Sequence, residues 1–390
     1  MPCAPGETWP VGRLTASRPP FDCPKGSTNM NITTLASLGW DAFFDGQMDS
    51  HATDDLAPAR VADEQRGHYQ LLNETGRWAA TLAGRLLHEI DQSLALRPTV
   101  GDWILARFPA DPAGGAAVIH HVLNRRTAFS RQAPGRRTVE QIVAANVDTV
   151  FLVQSLNRDL NCRRLERYLT LLWESGAEPV IVLSKLDLQP EADETEAQVR
   201  SVARGVAVLR TSAVLPGGMD SLSPYLVPGR TVALVGSSGV GKSTILNQLA
   251  GREVARVKAI RDDDRGRHTT TSRQLVVLPG GAILLDTPGM RTVLLWEGAD
   301  GLEQTFADLE ALAGECRFRD CAHEAEPGCA VRAALEAGTL DAGRFQSYRK
   351  LEREVRHHEA RTNIQARLAE QHRWKQIHRE ARRRPDKRSI

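Results

Sequence analysis

The sequence predicts an α/β protein whose central part is a mostly parallel, doubly wound sheet, flanked by a small β-barrel and a cysteine-bearing helical segment. Three observations predict it. After Thr138, apolar strands alternate with amphipathic helical stretches, the rhythm of a parallel sheet covered on both faces. Before that point, short β-rich runs are broken by turn signals at the spacing of a barrel or sandwich. Near residue 320, three cysteines and a histidine crowd into one short stretch, from Cys316 to Cys329. A chain of 390 residues has room for two or three such domains, and 41% hydrophobic with 25% charged residues is a globular composition. No stretch approaches the roughly 18 apolar residues a membrane helix requires, so no membrane partner is expected. Fifty basic residues against 48 acidic ones single out no partner by net charge.

The elements follow in order. Residues 1–30, with six prolines and no continuous apolar core, read as a disordered leader, with Met30 as an alternative start. Residues 31–137 carry the barrel-like runs 68–72 (HYQLL), 76–84, 99–108 and 116–123. Asn73–Gly76 and Asp111–Gly115 supply turns between them. Residues 138–300 form the alternating part. Its strands are Val147–Val153, Val180–Leu183, Val206–Leu209 and Thr231–Val235, and Arg163–Ser175 is a helix with Leu165, Tyr168, Leu169 and Leu172 on one face. Gln274–Leu278 and Ala282–Leu285 flank Pro279-Gly280-Gly281 and so read as a hairpin. A cysteine-containing domain (301–360) and a basic helical tail (361–390) complete the chain.

Strand Thr231–Val235 leads into Gly236, Ser237, Ser238, Gly239, Val240, Gly241, Lys242 and Ser243, and a helix runs from Thr244 to Ala250. This is the P-loop pattern in its required setting, strand before and helix after. The glycines let backbone N–H groups turn inward around phosphates, and the helix N-terminus adds positive potential. Lys242 is expected on the β- and γ-phosphates and the Ser243 hydroxyl on Mg²⁺. On its own the loop leaves ATP and GTP both open.

Further motifs choose guanine. Strand Ala282–Leu285 ends in Asp286-Thr287-Pro288-Gly289, 44 residues after Lys242. In that place an acidic residue holds Mg²⁺ through water and the glycine N–H senses the γ-phosphate. Thr269, Thr270 and Thr271 follow a polar stretch; Thr270, with Thr271 as the alternative, is expected to complete the Mg²⁺ shell. Strand Val180–Leu183 ends in Ser184-Lys185-Leu186-Asp187, similar to the guanine motif NKxD. Asp187 can accept from both guanine N1–H and N2–H, which adenine cannot offer, while the Lys185 stem lies over the base. Ser184 stands where Asn is usual, so one bracing amide is missing; nucleotide affinity is expected to suffer while guanine selectivity survives. Thr211-Ser212-Ala213 follows strand Val206–Leu209, and the Ala213 N–H is expected at guanine O6.

Ordinary GTPases place these last two motifs after the P-loop; here they precede it, a circular permutation. A fold whose chain ends lie together at the surface tolerates that change. The order, the barrel-like first part and the cysteine segment together resemble the RsgA (YjeQ) family of small ribosomal subunit biogenesis GTPases. Gly266-Arg-His-Thr-Thr-Thr271, Asp286-Thr-Pro-Gly-Met-Arg291 and Ser347-Tyr-Arg-Lys-Leu351 carry the likeness, which spans roughly residues 31–360. It implies an N-terminal OB-fold, a permuted α/β P-loop GTPase core and a small zinc-binding helical domain. It further implies cytoplasmic GTP hydrolysis to GDP and phosphate, stimulated by the small subunit during late maturation. The expected partners are that subunit and its rRNA, and the expected state is a monomer.

Met290 follows the DxxG motif, where Ras-like proteins carry the glutamine that orients water. A thioether cannot do this, so slow intrinsic turnover is expected. His268, beside the switch threonines, is the candidate catalytic group along with Lys242 and Thr270. Cys316, Cys321, His323 and Cys329 form a Cys₃His set suited to one structural Zn²⁺ per chain in a reducing compartment. From Gln371 to Ile390 there are eight Lys/Arg and two Asp/Glu, with Trp374 among them, a stripe suited to RNA phosphates. Two other readings compete. One is an RNA-binding assembly scaffold with nucleotide as a conformational ligand only; the other is an ATP-using P-loop kinase, against which Asp187 argues.

Overall fold

The computed structural model describes residues 34–48, 55–65, 67–111, 115–132, 140–156, 160–189, 192–254, 274–286 and 299–356. Helix α1 (Ala42–Met48) precedes a five-stranded barrel of β1 (Ala57–Gln65), β2 (His68–Asn73), β3 (Gly76–Leu82), β4 (Trp103–Arg107) and β5 (Ala117–Val122). Strand order is β1-β2-β3-β5-β4, and β1 also pairs with β4, which closes the ring. The β3–β5 pairing is parallel and the others in the ring are antiparallel. With helix α2 (Gly84–Gln92) between β3 and β4, this is the OB-fold that the family resemblance implies. Val61, Leu71, Trp78, Ile104 and Ile119 fill the barrel, and Leu86 and Ile90 of α2 pack on them.

Some boundaries differ from the sequence reading. The run 76–84 leaves the sheet at Leu82, and Gly84 opens α2. In the run 99–108 the strand starts only at Trp103; before it, the Asp102 carboxylate accepts the Thr99 N–H at 2.8 Å and closes a turn. Strand β1 had no sequence signal, because it carries Pro58, Arg60, Asp63 and Glu64. Its centre is nonetheless buried because both faces are covered: Ala59 and Val61 belong to the barrel core, and Ala62 to the core that includes Leu38 and Phe44.

A separate antiparallel pair, β6 (Ala128–Gln132) and β7 (Glu140–Ala145), follows the barrel. The main sheet then continues through β8 (Thr149–Ser155), helix α3 (Cys162–Glu174), β9 (Glu178–Ser184), helix α4 (Asp193–Val202) and β10 (Ala207–Arg210). Strand β11 (Thr231–Val235), helix α5 (Lys242–Ala250), β12 (Gln274–Val277) and β13 (Ile283–Asp286) complete it. The order is β10-β9-β8-β11-β13-β12, parallel except for the β12–β13 hairpin. Every residue of β8 is buried because both faces of the sheet are covered. Val150 and Leu152 point into the core shared with Leu165 and Leu169 of α3 and Val199 of α4, whereas Phe151 and Val153 meet Ile245 and Leu246 of α5. Asn161 caps α3 by accepting the Arg164 N–H at 3.0 Å.

Three short helices follow, α6 (Ala299–Thr305), α7 (Ala307–Gly314) and α8 (Ala330–Glu336), and residues 342–356 are helical. Phe306, Leu309, Val331 and Leu351 belong to the same apolar core as α3. Polar contacts follow one face of α3: Arg163 with Asp341, Glu166 with Arg344, Arg167 with Glu354, and Thr170 with Thr305. Arg344 is 4% exposed and bonds Asp308 at 2.6 Å, Glu166 at 3.1 Å and the Thr305 carbonyl at 2.9 Å, with its guanidinium 4.7 Å from the Phe306 ring centroid.

Candidate nucleotide and metal sites

The parallel strands all end at one edge of the sheet, and the predicted nucleotide motifs lie along it. Pairing of Ser155 with Ser184, of Leu183 with Arg210, and of Leu152 with Val235 fixes their relative level. The loop after β11 starts at Gly236, with φ +148°. A Cβ there would come 2.2 Å from the Val153 carbonyl oxygen, so only glycine lets the loop leave the sheet this close to β8. Gly241, at φ +100°, turns the chain into α5. The Lys242 ammonium folds back across the loop and donates to the carbonyls of Gly236 (2.8 Å) and Ser237 (2.5 Å). Ser243 and Thr244 lie in the first turn of α5, and Asp286 is the last residue of β13, one step beyond the Ala233–Leu285 pair.

The two guanine-type loops are tied to each other and to the phosphate loop. Leu186 N–H donates to the Thr211 carbonyl (3.1 Å), and Thr211 N–H donates to the Leu183 carbonyl (2.8 Å). Lys185 takes a left-handed conformation, φ +64°, which turns the chain sharply before Asp187. The Ser212 hydroxyl donates to the Asp187 carboxylate at 2.6 Å while accepting from the N–H groups of Val214 and Leu215 at 3.3 Å. Ser212 itself is 1% exposed, so this orientation is set from inside the fold. Ser184, also buried, donates its hydroxyl to the Val240 carbonyl of the phosphate loop at 2.6 Å, with the Gln154 carbonyl at 3.1 Å. Ser184 carries no amide, but its hydroxyl supplies a contact between this loop and the phosphate loop that the sequence reading did not include.

The metal-type residues also converge. The donor atoms of Cys316, Cys321, His323 and Cys329 all lie within 4.8 Å of one another. Cys316 Sγ is 3.9 Å from Cys329 Sγ, and His323 Nδ1 is 3.6 Å and 3.4 Å from those two sulfurs. With Zn–S near 2.3 Å and Zn–N near 2.0–2.1 Å, a tetrahedron has edges of about 3.8 Å (S–S) and about 3.6 Å (S–N). The separations among Cys316, His323 and Cys329 match those edges, and Cys321 lies within 4.8 Å of all three, an arrangement that suggests a zinc site. Glu326 braces the ligand loop by accepting the N–H groups of Ala322, Glu324 and Ala325 at 2.9–3.0 Å. These backbone donors hold its carboxyl down at about 2. His323 has φ +60°, and the Cys329 sulfur also accepts the Arg332 N–H (3.4 Å) at the start of α8.

Comparison with known proteins gives the same picture. A family model described as RsgA GTPase matches residues 122–296. The small ribosomal subunit biogenesis GTPase RsgA of Opitutus terrae is 50% identical over 354 residues, covering 88% of this chain and 96% of that one. The chain belongs to the RsgA GTPase family. The RsgA protein of Syntrophotalea carbinolica is 43% identical over 90% of this chain and 97% of its own length. Among solved structures, YjeQ from Thermotoga maritima superposes with a TM-score of 0.57 at 27% identity, over 77% of this chain and 98% of that one. YloQ, described as a circularly permuted GTPase, shares the fold with a TM-score of 0.54 at 23% identity, over 78% of this chain and 97% of its own.

Within this RsgA framework, the structure brings Ser184, Lys185, Asp187, Ser212, Ala213 and the residues from Gly236 to Thr244 to one sheet edge, and the four Cys/His residues to one point. His268, Thr270, Thr271, Gly289, Met290, the leader and the basic tail beyond residue 356 lie outside the described residues, as does the Asp286 side chain. Sequence reasoning did not anticipate the Ser184 brace, the Glu326 brace or the Arg344 network. Only Glu326 carried a signal, an acidic residue beside Pro327-Gly328 inside the ligand loop.

Proposed function

We propose that this protein hydrolyses GTP while bound to the maturing small ribosomal subunit, with turnover raised by the subunit. The observation that supports it best is the chain of hydrogen bonds from Asp187 through its loop to the phosphate loop. It ties a guanine-reading carboxylate and a P-loop into one unit across 56 residues of sequence. Asp187, oriented by Ser212, accepts the two guanine N–H donors, and the Ala213 N–H meets O6. Residues Gly236–Gly241 cradle the phosphates, and Lys242 leaves its two carbonyls for the phosphate oxygens. Ser243, Thr270 and Asp286 would hold Mg²⁺, which would supply positive charge against the phosphate oxygens. His268 orients the attacking water in place of a glutamine at position 290.

Zn²⁺ at the Cys₃His site is structural in this reading: four protein donors close the tetrahedron. rRNA is the proposed contact of the OB-fold and the basic tail, and a monomer is the proposed state. The test is GTP hydrolysis by the purified chain alone, with small subunits and with large subunits. A multiple-turnover rate that rises only with small subunits is expected. A rate unchanged by either subunit would reject the ribosome-stimulated part, and tighter binding of ATP than GTP would reject the guanine part.

A further inference from the structure

A second cavity lies at the other edge of the same sheet, where β8 and β11 begin. Its volume is about 190 Å³, and it is walled by the 34–48 arm, the barrel and the segments entering these two strands. Its charged lining is Arg60, Arg126, Arg230, Asp41 and Asp148. Each carboxylate already has a partner: Asp41 takes Arg126 at 2.6 Å, and Asp148 takes Arg230 at 2.8 Å. The remaining charge sits on Arg60, which is 1% exposed.

Arg60 donates only to neutral groups, the carbonyls of Leu38 (2.5 Å), Asn146 (2.9 Å) and Gly101 (3.3 Å). A guanidinium has five N–H donors, so two remain without an acceptor among the described residues. Burial draws its pKa down to about 10, against the raising pull of Asp148 and Asp102. Asp102 is not its partner either, being held by Arg125 at 2.7 Å. Beside it, the Thr231 hydroxyl also has no hydrogen-bond partner although Thr231 is 1% exposed. Surplus positive charge, spare N–H donors and a spare hydroxyl in the wall of one cavity are the requirements of an anion site.

We propose that this cavity binds one tetrahedral oxyanion, phosphate or a phosphodiester group of an RNA strand, against Arg60 and Thr231. The volume equals about six water molecules at roughly 30 Å³ each, enough for a phosphate group. It falls below the roughly 300 Å³ of pockets for larger ligands. The bound anion would balance Arg60 and fasten the 34–48 arm to the strand ends, at the edge of the sheet opposite the P-loop. The site stands independently of the nucleotide reading.

The test is calorimetric titration of inorganic phosphate into the full-length chain saturated with Mg²⁺ and a non-hydrolysable GTP analogue, so that the P-loop is filled. Ionic strength is matched with chloride, and a short single-stranded RNA is titrated in parallel. Saturable one-site phosphate binding is expected. Thr231→Val should weaken it roughly threefold to tenfold, as for one lost hydrogen bond. Arg230→Glu, at an exposed position, should weaken it more than tenfold by setting a second carboxylate beside Asp148. If phosphate itself fails to bind but RNA affinity falls in both variants, Thr231→Val included, the anion is a strand phosphate. Phosphate binding equal in all three proteins, or neither ligand sensitive to Thr231→Val, overturns the proposal.

Discussion

Ser184→Ala tests the link between base recognition and phosphate binding most directly. The substitution removes one oxygen and leaves the β9 backbone untouched. What is lost is the 2.6 Å hydrogen bond to the Val240 carbonyl. Ser184 is 3% exposed and Val240 1% exposed, so water does not easily take the vacated place. A hydrogen bond of this kind contributes about 0.5–1.5 kcal/mol net. If about 1 kcal/mol of it is spent on holding the phosphate loop in its binding shape, GTP affinity falls roughly fivefold, since about 1.4 kcal/mol is tenfold. GDP should weaken alike, because both nucleotides use the loop. Ser184→Asn offers an amide donor at the same position and should bind within about twofold of the wild type. Titration with a fluorescent guanine nucleotide reads both variants. A folded Ser184→Ala protein binding GTP as tightly as the wild type would refute the brace, whatever happened to turnover.

Four further outcomes are expected. Asp187→Asn should lose GTP and gain xanthosine triphosphate, because an amide can donate to the xanthine 2-carbonyl; binding competition checks it. Cys329→Ala should lower bound zinc from one per chain and reduce the thermal midpoint, and metal analysis of the reduced wild type finding none would contradict the assignment. Asp308 has its pKa shifted by burial, which raises it, but Arg344 and Arg204 outweigh this and hold it below 3.8. Its stabilisation is thus fully present above the ordinary carboxylate value and lost as pH falls through the depressed one; urea midpoints between pH 7 and 3 should show a loss that Asp308→Asn removes. His268→Ala should abolish subunit-stimulated hydrolysis with GTP binding intact, and unchanged stimulated turnover would reject its role.

The legible parts of this sequence are those whose signal is local. The strands β8, β9 and β11 are apolar runs because helices cover both faces, and the P-loop and Cys₃His spacings are fixed by the geometry of what they hold. The illegible parts depend on partners far along the chain. Arg60 looks like a surface residue on a charged stretch, yet its acceptors lie 22, 41 and 86 residues away. β1 is a strand because β2 and β4 take its two edges, a fact no window of nine residues contains. Ser184 reads as a weakened motif only while Val240 is out of view. Arg344 reads as one basic residue in a helix, whereas its partners come from α3, α7 and the last residue of α6.

The permutation makes this last network more than packing. In this chain the segment after β13 runs into the C-terminal helices, which gives them one covalent tie to the nucleotide edge. The polar face of α3 gives them a second. Helix α3 follows β8, and β8 lies against the phosphate loop through the close approach of Gly236 to the Val153 carbonyl. The zinc-type segment is therefore held to the nucleotide domain from two directions, once through the backbone beyond Asp286 and once through Arg344, Glu166 and Asp308. Glu166 is fully buried and also takes Arg163 at 2.7 Å, so removing Arg344 takes away one of its two cationic partners and leaves Asp308 without its 2.6 Å partner, a loss expected to fall short of the about 3–5 kcal/mol of a buried charge left wholly unpaired. Arg344→Ala should accordingly loosen the C-terminal helices while the P-loop still binds GTP. If limited proteolysis found that variant as resistant as the wild type, α3 would be a passive support and only the backbone beyond Asp286 would connect the two.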